Sequence, residues 1–308
     1  MLKFWLLRLH RWTTLVFALP LAVLIITGLI LSFEPVVQVA AVKPGSMTLA
    51  SIEALLARHD PEGKARSISL RSYENRLSLG GVRPDDDIDV DIRTGAELLE
   101  DGQVSNLFYY SRIIHEHLIT DFGGLVVHLS TMAMLLLIAL GIAMGWPRIQ
   151  NTVSGWHKAM AWGLLPLLIL SPLTGLFLAW GVTFSGPPAA RTQPIPILEA
   201  VRLVGASHDL SGLVWLRNRG GRQIARMVVD GSFQTFVVTP NGLQPAGTNW
   251  PRLLHEGNFA GIWSGLMNVV ISIAFIGLMV TGLIIWARRT FRKRPERARN
   301  RIRATVPG

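Results

Sequence analysis

Eight histidines are the residues of this chain best suited to chemistry. Six of them, His10, His115, His117, His128, His157 and His255, stand at or inside the ends of long apolar runs. An imidazole in hydrocarbon needs a polar partner. It is also a good axial ligand for iron, and two opposed imidazoles complete a six-coordinate haem. His10 and His157 each open a run that closes on Thr-Gly, at Thr27-Gly28 and Thr174-Gly175, and in both the glycine follows its histidine by 18 positions. His115 and His255 sit in the matching tripeptides Ile114-His115-Glu116 and Leu254-His255-Glu256, each 31 positions before a tryptophan, Trp146 or Trp286. Two pairs follow, His10 with His157 near one face of a membrane, and His255 with a histidine of the 115–128 stretch near the other. They predict two bis-histidine b-type haems, stacked so that single electrons can cross an insulating layer. The partner of His255 stays open among three residues. Repeat register favours His115. Depth favours His128, which lies ~27 Å from Trp146 along a helix. His117 ranks third. No residue receives a catalytic role beyond ligation. The bland alternative is interfacial histidines bonded to head groups or loop carbonyls, and it weakens for matched pairs on one side. A diiron or zinc site is weaker still, because no carboxylate lies inside a span and a hard metal cage wants several. His59 and His208 fall in polar segments and read as ordinary surface residues.

The elements that must position these rings are membrane spans. No Asp, Glu, Lys or Arg occurs from Trp12 to Phe33 or from Ala159 to Ser185, enough to cross ~30 Å of hydrocarbon at ~1.5 Å per residue. The expected architecture is a membrane α-helical, four-transmembrane-helix bundle with two small periplasmic α+β modules, internally duplicated. Its parts are the N-terminus and first span (1–34), a first module (35–111), an interfacial segment and second span (112–146), a cytoplasmic loop (147–158), the third span (159–184), a second module (185–253), the fourth span (254–287) and a basic cytoplasmic tail (288–308). The first span reads as retained, not as a cleaved signal. Each module offers a helix, 51–59 and 195–204, and three strands, at 65–71, 75–82 and 88–92 and then near 213–217, 223–229 and 235–238. Asp230-Gly231 and Asn241-Gly242 are turn signals. Asp85, Asp86, Asp87, Asp89 and Asp91 form an acidic cluster that reads as a solvated edge before it reads as a cation site. Gly28, Gly141, Gly175 and Gly282, near the far ends of the spans, either make room between helices or simply pack.

Composition narrows the function. Half of the 308 residues are hydrophobic and only 16% are charged, against about 25% in a soluble protein. With no cysteine, disulfides, thiolate metal sites, iron–sulfur clusters and covalent c-type haem are excluded. The net charge of +10 is concentrated in the tail, where nine Lys/Arg between Arg288 and Arg303 meet one acid, Glu296. Directly after a span this is a topological anchor beside anionic lipid and not a nucleic-acid site. The Lys/Arg of the N-terminus, the 147–158 turn and the tail place both termini in the cytoplasm. No Gly-x-Gly-x-x-Gly fingerprint follows a strand, so an external electron donor is required.

Leu9-His10-Arg11-Trp12 with Thr27-Gly28, Trp156-His157 with Thr174-Gly175, and Leu254-His255-Glu256-Gly257 with Thr281-Gly282 resemble the PepSY-associated transmembrane family. The two polar segments look like its periplasmic PepSY modules. The resemblance covers nearly the whole chain and departs from the family pattern at His115-x-His117, Gly123-Gly124 and the additional His128. It implies a bacterial inner-membrane ferric-siderophore reductase of the ferrioxamine-reductase type. Such a protein holds two b-type haems, takes electrons from a quinol or a cytoplasmic flavin or NAD(P)H reductase, and reduces a ferric siderophore or ferric chelate in the periplasm so that iron is released. The competing functions are a quinol-linked cytochrome b for another periplasmic acceptor, and a non-enzymatic anchor whose modules bind a periplasmic partner.

Overall fold

The computed structural model describes residues 1–84, 86–186 and 195–291. Asp85 of the acidic cluster, Pro187, Pro188 and Pro194 of the linker, and the tail beyond Phe291 lie outside the described residues. The elements in chain order are α1 (Leu2–Ala41), α2 (Leu49–His59), β1 (Ser67–Arg71), β2 (Arg76–Gly80), β3 (Ile88–Asp91), α3 (Gln103–His117), α4 (Gly123–Ala143), α5 (Val153–Gly163), α6 (Leu165–Ala179), α7 (Ile197–Gly205), β4 (Leu213–Asn218), β5 (Gln223–Val229), β6 (Ser232–Thr239), β7 (Gly242–Pro245), α8 (Trp250–Glu256) and α9 (Gly261–Phe291).

Three helices, α1, α4 and α9, are long and apolar enough to cross a membrane, and the bent pair α5–α6 makes a fourth span if counted as one. Their outer faces carry exposed Trp12, Val16, Leu19, Ile26, Leu129, Leu136, Val270 and Ile273, apolar surface of the kind that lipid covers. Leu21, Ile25, Leu168, Ile271 and Phe275 fill the centre of the bundle. At ~1.5 Å per residue the 40 residues of α1 overshoot the hydrocarbon. The surplus turn carries Gln38 up to the sheet, where its side-chain amide donates to the Leu70 carbonyl at 3.3 Å.

The third span is broken, where the sequence predicts one uninterrupted run. α5 and α6 meet at 67° around Leu164. Pro166 is the second residue of α6, so it contributes no N–H to the ladder, and its ring disfavours helical geometry at the residue before it.

The two polar segments do not make two sheets. All seven strands form one antiparallel sheet in the order β3-β2-β1-β4-β5-β6-β7. The seam between the segments is β1 against β4, with Ile68 opposite Leu216 and Ser69 opposite Trp215. Alternation sets the two faces. Ile68, Leu70, Leu77, Leu79, Leu213, Leu216, Ala225 and Met227 turn to one side, where α2 and α7 close a single core drawn from both segments. Ser67, Ser69, Arg71, Trp215 and Arg217 turn to the other side, towards the bundle. Thr48 caps α2 through a reciprocal pair with Ser51. β7 escapes the sequence reading because it is four residues long, begins with glycine and ends with proline, and sits at the sheet edge.

Candidate functional site

His115 and His255 come together at the sheet end of the bundle. Their ring centroids are 6.2 Å apart, with planes tilted by 45°. Each ring is held by a helix other than its own. Thr27 Oγ1 on α1 lies 3.0 Å from His115 Nδ1, while its own hydroxyl donates to the Val23 carbonyl at 2.7 Å. Thr174 Oγ1 on α6 lies 3.2 Å from His255 Nδ1 and donates to the Leu170 carbonyl at 2.7 Å. The Ser171 carbonyl is 3.0 Å from the same Nδ1. A hydroxyl that spends its proton on a backbone carbonyl can only accept from the imidazole. Both histidines therefore carry hydrogen on Nδ1 and keep a lone pair on Nε2, the tautomer and second partner typical of metal-bound imidazole.

Glycine makes the approach possible. A Cβ on Gly28 would stand 3.2 Å from His115 Cε1, and one on Gly175 would stand 3.0 Å from His255 Cε1. The Thr-Gly dipeptides noted in the sequence are thus the receptors for histidines that arrive from α3 and α8. The opposite end repeats the arrangement. His157 Nδ1 is 2.8 Å from Thr281 Oγ1 on α9, and that hydroxyl donates to the Gly277 carbonyl at 2.6 Å. A Cβ on Gly282 would lie 3.6 Å from His157 Cε1. His10 is close enough to His157 for the two rings to interact electrostatically. The corresponding place on α4 holds Leu140-Gly141, with no hydroxyl. His10 Nδ1 is directed at the Leu137 carbonyl but short of hydrogen-bonding geometry.

Of the three candidates in the 115–128 stretch, only His115 joins His255. His117 is exposed, 4.0 Å from the Glu116 carboxylate. His128 Nδ1 bonds back to the Gly124 carbonyl of its own helix. It lines the cavity described below without facing another histidine. Depth does not select His128, because α3 packs along α1 and brings His115 down beside Thr27 and Gly28.

Two helices outside the spans, α3 and α8, aim the rings. α8 ends at Gly257, whose φ of +67° is left-handed, and a Cβ there would fall 2.6 Å from the Ser264 carbonyl. Only glycine fits this turn. It docks α8 on α9, where Asn268 donates to the His255 carbonyl at 2.7 Å. α3 ends in left-handed Leu118 and Ile119, and its His117 carbonyl lies against Gly123, where a side chain has no room.

Arginines stand three positions before both rings. Arg112 pairs with Glu34. Arg252 reaches Glu256 at 2.8 Å, and Arg226 of β5 reaches the same carboxylate at 3.0 Å. Burial opposes ionisation of Glu256, but Arg226, Arg252 and Arg112 outweigh it and hold the carboxyl below its usual range. The repeats Arg112-Ile113-Ile114-His115-Glu116 and Arg252-Leu253-Leu254-His255-Glu256 carry this signal, which the shorter tripeptide misses.

A cavity of about 1410 Å³ extends from Ile25, Met134 and Phe275 in the bundle, past His115, His128 and His255, to Arg71, Trp215, Arg217 and Arg226 on the sheet. Two imidazoles facing one ion through Nε2, each at ~2 Å, have centroids ~6 Å apart, which is the spacing observed here. Among the described residues no group of three or more His, Cys, Asp or Glu is arranged to hold a metal ion. Iron held here would take two imidazoles from the chain and its other ligands from a macrocycle, and the residues fit that role.

A model of the PepSY-associated TM region matches residues 7–289. The chain belongs to the PepSY-associated transmembrane family. Both histidine pairs and the whole sheet of this family member fall within the match, which omits only the first turn of α1 and the last residues of α9. No curated protein matches the chain.

Proposed function

We propose that this PepSY-associated membrane protein is a haem-dependent reductase of the bacterial inner membrane. It would pass electrons to a ferric siderophore or other ferric chelate on the periplasmic, sheet-bearing side. The single observation that carries the reading is the His115–His255 pair, with both Nδ1 atoms tied down and both Nε2 atoms free, beside a cavity that leads to a polar sheet face. His115 and His255 would hold one haem b, and His10 and His157 the other. Bound haem supplies one-electron chemistry at iron, which no side chain of this chain can supply. Thr27, Thr174 and Thr281 fix the ligating tautomer. Gly28 and Gly175 let the rings of His115 and His255 seat against a neighbouring helix. The apolar floor of Ile25 and Phe275 excludes water, and the sheet above admits a hydrophilic chelate that cannot enter lipid. Reduction to Fe(II) weakens the hold of hard oxygen donors and frees the metal. The donor would be a quinol or a cytoplasmic flavin or NAD(P)H reductase, and both termini would be cytoplasmic.

The test is His255→Ala in cells or proteoliposomes supplied with a ferric siderophore and an Fe(II)-specific dye. Fe(II) production should fall to background, while the His10–His157 site stays reducible from its own side. Undiminished production in the variant would remove this reading. A purified protein that stays colourless with ample haem supply would leave the non-enzymatic PepSY anchor.

A further inference from the structure

The roof of the cavity carries charge that the reductase reading does not use. Arg112 pairs with Glu34, and Arg226 and Arg252 share Glu256, so three guanidinium groups meet two carboxylates. Arg71, Arg217 and Arg219, which also line the cavity, form no ion pair with a carboxylate among the described residues. Arg71 is turned to Ser78 Oγ at 2.9 Å. Arg217 lies over the Trp215 ring, 4.4 Å from its centroid, so its guanidinium is oriented without being neutralised. Arg219, Arg226 and Arg252 all act on Arg217 as like charges. Asp87 and Glu116 also reach the cavity, but neither pairs with these three arginines. An uncompensated cluster of one sign on the wall of a cleft raises the local concentration of opposite charge and rejects its own sign.

We infer that this sheet face is an anion-recognition surface that selects ferric chelates of net negative charge, with Arg217 and Arg219 as specificity-determining residues. The inference rests on the ferric-chelate reading above and narrows it. Anionic catecholate or carboxylate complexes are the expected substrates, and cationic hydroxamate complexes are disfavoured. Trp215 adds a flat apolar surface for an aromatic chelator.

The test uses redox-inert gallium(III) complexes and the haem-loaded full chain in nanodiscs of uncharged lipid, with binding read by calorimetry. The trianionic tris-catecholate complex should bind about tenfold or more tightly than the complex of a cationic linear trihydroxamate, and the preference should shrink with added salt. Arg217→Glu combined with Arg219→Glu should weaken the anionic complex about tenfold or more and leave the cationic one unchanged or improved. The Arg217→Gln, Arg219→Gln pair should fall between, and both variants should keep the wild-type visible spectrum. Equal affinity for the two complexes, or charge reversal without effect on the anionic one, overturns the charge selection alone. Loss of a haem band in either variant also overturns it, because the arginines would then serve the cofactor's carboxylates. If neither complex binds the wild type, the ferric-chelate reading falls with it.

Discussion

Three imidazoles are each met by a threonine hydroxyl, and two of them, His115 and His255, also depend on a missing methyl group. Thr27→Val keeps the shape of the residue and removes the acceptor of His115 Nδ1–H. Loss of such a second partner lowers the affinity of a metal site about tenfold or more, so haem titration of the apoprotein should show one weakened and one unchanged site. Gly175→Ala tests the missing methyl. Its Cβ would meet His255 Cε1 at 3.0 Å, so the ring must tilt, and the bands of that site should shift while those of the His10–His157 site stay put. His117→Ala and His128→Ala should leave both sites intact, which separates His115 from its neighbours. The sequence made the histidines and the Thr-Gly dipeptides visible as a spaced pattern. It could not show that Thr27 and Gly28 serve His115 from another helix, because period and spacing report on one helix at a time. The absence of a hydroxyl for His10 was legible in principle, since Leu140-Gly141 stands where Thr-Gly stands elsewhere.

Short elements do the aiming, and these were the hardest to see. The long apolar runs announced themselves, and α4 and α9 begin where expected, at Gly123 and Gly261, whereas α1 extends to Leu2 and Ala41, well beyond the uncharged run from Trp12 to Phe33. α8 is seven residues long, and its docking depends on one left-handed glycine and one half-buried carboxylate. Glu256 ties α8 to β5 through Arg226 and closes the turn through Arg252. Its carboxyl is held below the usual range, so its contribution to stability is complete above the unfolded value of ~4.3 and is lost as pH falls through the lower folded value. Acid titration of the wild type should therefore loosen α8 from the sheet below about pH 4. Glu256→Gln should lose about 2 kcal/mol at neutral pH, because two guanidinium groups lose their charge partner, and its melting temperature should vary less across that acid range. An unchanged melting temperature at pH 7 would mean that the pair does not hold α8. The break between α5 and α6 also had a sequence cue, Pro166, but a proline inside an apolar run can bend a span or merely begin a helix.

At the scale of the molecule, two halves of the chain meet twice, in the histidine pairs and in the sheet. Periodicity along each polar segment gave the strands, and nothing in it could reveal that β1 would pair with β4 across more than a hundred residues. The shared core means that neither segment is expected to fold alone. Leu216→Asp, fully buried at the seam, should expose both segments to protease together, whereas independent modules would lose only the second. A reporter fused after Gly308 should be active only in the cytoplasm if the basic ends set the topology. Counting haem per chain alongside the absorption spectrum, in the wild type and in His255→Ala, decides whether opposed histidines hold two haems. Two haems with low-spin b-type bands are expected in the wild type, and one haem with the same band type in the variant. A wild type without such bands under full haem supply, or a variant that keeps both haems, would contradict that expectation.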